Sequence, residues 1–196
     1  MANKDAAFGM RPVGRIGGTP YTGGLSRYRI AANYDTAIFQ GDMVAQVTGG
    51  GVEVHADGGT VPIVGVFQGC SYTDPTTKEQ VYKNYYPAST NTSDIFAYVI
   101  DDPNVLFEAQ EDSTDIGSSW PDNRGSNANF VSTHSGSTKT GRSKQELDSS
   151  DIGATAANFR IVELSKDPDN SDTTAANCNF LVRLNEGLYY SNTAGI

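Results

Sequence analysis

The chain has 196 residues and a formal net charge of −9, from 14 Lys and Arg against 23 Asp and Glu. Hydrophobic residues make up only 37%, and the 21 glycines point to an all-β chain with many turns. The acid excess argues against nucleic acid as a partner of the body, because phosphate binding needs clustered Lys and Arg.

Residues 1–30 are the basic exception. Lys4, Arg11, Arg15, Arg27 and Arg29 face Asp5 alone, a balance of +4 that leaves −13 on the remainder. Pro12, Pro20 and two Gly-Gly pairs deny this stretch a helix or a long strand. Its apolar residues Phe8, Met10, Val13, Ile16, Tyr21, Leu25 and Tyr28 are too many for an idle tail. The expectation is an extended N-terminal arm that folds onto a neighbour, with a loose terminus as the alternative. MANKDAAFGM lacks the apolar segment of a secretion signal, and no run approaches the roughly 18 apolar residues of a membrane span. A soluble chain made in the host cytoplasm, with no membrane partner, is expected.

The stretch from Ala37 to Phe67 predicts three short strands joined by glycine turns. The first carries Ile38, Met43, Val44 and Val47 and is interrupted at Gly41-Asp42, as a bulge or corner would interrupt it. Gly49-Gly50-Gly51 is a turn. Val52 and Val54 then alternate with Glu53 and His55, which places the histidine on a polar face. Asp57-Gly58-Gly59 is a second turn, and VPIVGVF is the continuous apolar run of a strand inside a small core.

Gln80 to Tyr86 is a tyrosine-rich strand. Clustered tyrosines are either half-buried sheet residues or a stacking platform for a glycan. Ile95–Ile100 and Val105–Phe107, joined by Asp101-Asp102-Pro103-Asn104, predict a β-hairpin. The two aspartates suit turn chemistry better than an acid/base pair, because adjacent side chains diverge. Residues 112–157 are polar and predict a long insertion, in which Trp120 either anchors the loop on the core or contacts another subunit. Asn158–Leu164 and Cys178–Leu184 predict an antiparallel pair across a polar loop, with Gly187–Tyr190 as a short edge. Pairing of Cys70 with Cys178 stays open.

No motif carries chemistry. Gly136–Ser143 approaches a phosphate loop, but Arg142 stands where the motif needs Lys and no apolar helix follows. Asp167–Asp172 resembles the start of a calcium loop, yet Asp172 stands at the place of its glycine and Cys178 at the place of its glutamate. His55 and His134 are the only histidines, so neither a zinc site nor an acyl-transfer triad has a basis. The expectation is a protein that is not an enzyme and holds no cofactor and no metal.

Gly41-Asp42-Met43-Val44, Gly51-Val52-Glu53-Val54, Ala56-Asp57-Gly58 and Val64-Gly65-Val66 together resemble the core of capsid decoration (cement) proteins of tailed bacteriophages. The AFGMRPVGRIGGTPYTGG, DDPNVLFEAQ, DPDN and LVRLNE segments are similar to podovirus-like phage proteins encoded beside the major capsid protein. The resemblance implies a virion protein on the outer capsid surface, bound to the major capsid protein and to its own copies as a homo-trimer or dimer. The organisation expected is an arm over 1–30, a small antiparallel β-barrel or sandwich over 31–111 completed by 158–196, and the insertion over 112–157. The capsid-binding side chains would be Phe8, Met10, Arg11, Arg15, Tyr21, Arg27 and Tyr28. The alternative function is a virion-exposed receptor- or glycan-binding module, built on the tyrosines and the polar loop.

Overall fold

The computed structural model describes residues 3–56, 62–112, 123–132, 136–153, 155–173, 175–189 and 195. They form strands β1 (Arg11–Arg15), β2 (Ser26–Arg29), β3 (Ile38–Phe39), β4 (Met43–Gln46), β5 (Val52–Val54), β6 (Ile63–Thr73), β7 (Gln80–Lys83) and β8 (Tyr85–Tyr86). After these come β9 (Phe96–Ile100), β10 (Val105–Gln110), β11 (Asn127–Ala128), β12 (Phe130–Val131), β13 (Glu146–Leu147), β14 (Phe159–Leu164) and β15 (Asn179–Leu184). One sheet runs β1-β10-β15-β14-β11. A second runs β2-β9-β6-β4-β5, with β7 on the far half of β6. β3-β8 and β12-β13 are two-stranded ribbons.

The expected all-β class is what the chain forms, as a sandwich rather than a closed barrel. A single parallel bridge between Arg29 and Gly51 touches the two edges of the second sheet together, so that sheet curls without closing. Inside the curl Val44, Val64, Phe67, Cys70, Tyr86, Ile95 and Val99 make one apolar core. Its other face presents Met43, Ile63, Val66 and Ile100 to Phe107, Phe159, Phe180 and Val182 of the first sheet, a second core.

β6 is central because it serves both cores. Its pairing skips a residue opposite β4, between Val44 and Ala45, and again opposite β9, between Phe67 and Gly69. Each irregularity flips the inside-outside alternation, so Val64 and Phe67 enter one core while Ile63 and Val66 enter the other. That is the physical meaning of the unbroken apolar run. At Gly65 a Cβ would lie 2.1 Å from the carbonyl oxygen of Ile100, so only glycine lets β9 approach.

Several expectations are corrected by this architecture. Residues 1–30 are not an appended arm. β1 pairs with β10 and β2 with β9, so the stretch supplies an edge strand to each sheet, and Met10 is 1% exposed. Backbone pairing within the chain orders a segment whose own apolar surface could not. Ile95–Phe107 is not a hairpin. β9 lies between β2 and β6, and β10 between β1 and β15, so the Asp101–Asn104 turn carries the chain from one sheet to the other. The described part of 112–157 is more than a loop: it supplies β11, β12 and β13 and buries Asn127, Gln145, Glu146 and Leu147. His55 is buried, edge-on to Phe130 at 5.5 Å between ring centres, instead of lying on a polar face. The strand predicted from Ala37 divides at Gly41-Asp42 into β3 and β4, which take different partners.

The expected β14–β15 pair forms. Cys70 and Cys178 are both buried, one in each core, so they do not meet each other.

Candidate functional site

The N-terminal stretch is fastened by the turn between the sheets. Asp102 accepts the backbone N–H of Asn104 at 2.9 Å, a local turn bond that fixes its carboxylate, and pairs with Arg15 at 2.7 Å. Asn104 receives the N–H of Ile16 at 2.8 Å on its carbonyl. Asp101 accepts the hydroxyl of Tyr28 at 2.8 Å, and Tyr189 lies 3.3 Å from the same hydroxyl. The two carboxylates thus diverge into separate structural bonds. Burial, with the Tyr189 and Asp101 hydrogen bonds, holds the Tyr28 hydroxyl far above its ordinary pKa, and burial beside Asp102 and Asp101 raises that of Tyr21.

This fastening sorts the residues expected to meet a partner. Met10 is in the core and cannot be an external anchor. Phe8 is half-buried, with the Arg11 guanidinium 4.9 Å above its ring, and Arg11 is also ion-paired to the buried Glu108. Arg15 is bound to Asp102, and Tyr21 donates its hydroxyl to the carbonyl of Gly24 at 2.9 Å. Arg27 is different: it is exposed and lies on the Phe96 ring at 3.8 Å, with Arg29 5.9 Å from the same ring. A guanidinium stacked on an aromatic face keeps its N–H edges for another group. Trp120 lies outside the described residues.

The large exposed apolar side chains complete the surface. Val13, Ile16 and Leu25 are 44%, 45% and 47% exposed, and Tyr189 is 63% exposed beside Tyr28. Val13 lies on β1, Leu25 immediately before β2, and Ile16 against the intervening turn, so apolar and cationic groups share one segment of an otherwise acidic molecule. Arg29 belongs to this surface although it was counted only as a charge and not among the expected contact residues; its place next to Phe96 depends on the β2–β9 register.

Among the described residues, no group of three or more His, Cys, Asp or Glu side chains is arranged to hold a metal ion. Ser137 and Arg142 bridge across a tight turn, so the stretch resembling a phosphate loop is a small hairpin with no helix after it. Asp167 caps a short 3-10 helix over Pro168–Asn170 by accepting the N–H of Asp169 at 3.0 Å, a local turn role for this carboxylate. Tyr82 is 67% exposed, Tyr85 is half-buried and Tyr86 is fully buried, so the tyrosine cluster is divided between surface and core.

Comparison with protein-family models, with curated proteins and with solved structures finds no match to this chain.

Proposed function

We propose that the chain is a structural virion protein that binds the outside of an expanded phage capsid and stabilises it across the joints between capsomers. The observation that carries this reading is the segment from Val13 to Arg29. It presents exposed Val13, Ile16 and Leu25 together with Arg27 and Arg29 on two sheet edges held rigid by the Asp101–Asn104 turn. Apolar anchors beside unengaged guanidinium edges are the composition of an interface core rather than of solvated surface. A protein that binds only the expanded shell lowers the free energy of that state alone, and this differential binding is what a cement function requires. The resemblance of the sequence to decoration proteins supports the same partner, the major capsid protein, and association with further copies of the chain as trimer or dimer.

The test is co-sedimentation with expanded, DNA-free phage heads. The folded role of residues 1–30 rules out deletion as the comparison, so point changes replace it. The intact protein should bind saturably, and the combined Val13→Asp, Leu25→Asp and Arg27→Gln variant, with an unchanged circular dichroism spectrum, should bind at least about tenfold more weakly. Failure of the intact protein to bind would overturn the reading.

The exposure of Tyr82 keeps a glycan- or receptor-binding module as the second reading. It predicts saturable binding to a glycan array that Tyr82→Ala abolishes and the Val13–Arg27 changes leave intact.

A further inference from the structure

Gln68 is the extra residue at the β6 irregularity opposite β9, where Phe67 pairs with Val99 and Gly69 with Tyr98. Such a bulge turns one side chain out of the alternation. Its amide Oε1 accepts Gln40 Nε2 at 3.3 Å, but its Nε2, buried, has no acceptor among the described residues. An orphaned buried donor costs stability, and a site for a ligand is one reason to retain it.

The surroundings suit such a ligand. Gln68 lines a cleft of about 290 Å³ together with Gln40, Phe8, Met10, Arg11 and Arg142. Two arginines therefore line the same cleft as the amide, with no carboxylate in the lining. Arg11 is positioned by Phe8 and Glu108. Arg142 is brought in by the small hairpin, whose backbone joins Gln40 through the Ser143 N–H to Gln40 carbonyl bond of 2.9 Å and the Gln40 N–H to Gly141 carbonyl bond of 2.9 Å. The close approach depends on glycine. A Cβ at Gly9, where φ is +74°, would lie 2.4 Å from the Ser143 Cβ, and one at Gly41, where φ is +97°, would lie 3.1 Å from the Met10 nitrogen.

We infer that this cleft is a binding site for a carboxylate carried on an apolar stem. A planar carboxylate accepts both the fork of a guanidinium and an amide N–H, while Phe8 and Met10 line the cleft for the carbon chain. The same chemistry could come from a small organic acid or from an acidic side chain of a partner protein. The site is independent of the capsid reading: it stands if phage heads are not bound, and falls on its own measurement.

That measurement is an NMR titration of the full chain, following the side-chain amide protons of Gln68 and the Nε–H signals of the arginines. The probes are succinate, N-acetyl-glutamate amide, its uncharged counterpart N-acetyl-glutamine amide, and inorganic phosphate. Saturable shifts at Gln68 with either carboxylate, and none with the glutamine compound, are expected. The tighter of the two carboxylates identifies the source as a free acid or a protein side chain. Arg142→Gln, at an exposed position, should weaken binding about tenfold or more. Gln68→Met should do the same with little change in the unfolding midpoint, because removing a buried donor that has no acceptor in the ligand-free protein offsets the loss of the long Gln40 Nε2 bond to Gln68 Oε1. Absence of Gln68 shifts with both carboxylates, equal shifts with phosphate or the glutamine compound, or undiminished binding by both variants would overturn the inference.

Discussion

Asp42 shows how one residue can set a pH dependence. It sits at the corner between β3 and β4, 6% exposed, and accepts the Phe39 N–H at 2.7 Å. Burial pushes its pKa up to about 6 from 3.8, against the lowering effect of its hydrogen bonds from Ser143 and Phe39. The folded state therefore holds this proton more tightly than the unfolded chain. Stability should be highest below pH about 4 on this account and fall as pH rises through about 6, by at most about 3 kcal/mol. Urea midpoints at pH 5 and pH 7 check it: Asp42→Asn, which keeps an acceptor for Phe39, should remove most of the difference. Asp94 works in the opposite sense, its carboxylate held down to about 2 by hydroxyls of Thr73 and Thr92. Its contribution is present above the ordinary carboxylate range and lost as pH falls toward 2. Gly41-Asp42 is legible in the sequence as a corner, because glycine at positive φ announces it. The burial of the aspartate is not, since it comes from the Ser143 hairpin about a hundred residues further on.

At the scale of elements, β6 is the strand whose disruption should matter most. Gly65→Ala would drive a methyl group into the Ile100 carbonyl, and the expected loss is several kcal/mol, read as a fall in the urea midpoint or as insoluble protein. A change at the open glycine Gly17, which no neighbour approaches, should cost far less and only through its φ of +92°. Which runs are strands was legible from β-branched and aromatic content: β6, β9, β10, β14 and β15 all fall where apolar residues concentrate. Partnership was legible for β14 with β15 and, through the Gly49–Gly51 turn, for β4 with β5. Ile95–Phe107 has a hairpin's local chemistry, yet β9 finds β6 and β10 finds β15, because each sheet needs an inner strand with two neighbours. Turn residues specify a reversal, and they do not say whether the returning strand stays in the same sheet.

For the molecule as a whole, the first thirty residues close the sandwich. They were read as separate because their proline and glycine content interrupts every period, and β1 does carry Pro12 at a sheet edge with a register shift beside it. What the sequence could not display is the number of partners waiting for them. Met10→Ala should cost about 2–5 kcal/mol as a cavity in the core shared by both sheets, and it should leave a cooperative urea transition. Deleting residues 1–30 should abolish that transition, since it removes the outer strand of each sheet together with Met10 and Ile30. The candidate interface was legible as composition, a basic and apolar stretch on an acidic chain. Only the fold separates Arg11 and Arg15, bound to Glu108 and Asp102, from Arg27 and Arg29, stacked on Phe96.

The order of pairing bears on how the chain is made. Every strand of the second sheet lies between Ser26 and Ile100, so that sheet can assemble while the rest is still being translated. The first sheet cannot: β1 waits for β10, β10 for β15, and the Asn3 side chain for the carbonyls of Asp172 and Ala176. During that interval the ribosome carries a half-sandwich whose Met43, Ile63, Val66 and Ile100 face water. Translation speed past β10 therefore sets how long this sticky intermediate survives, and slowing it should raise the aggregated fraction without changing a single residue of the finished protein.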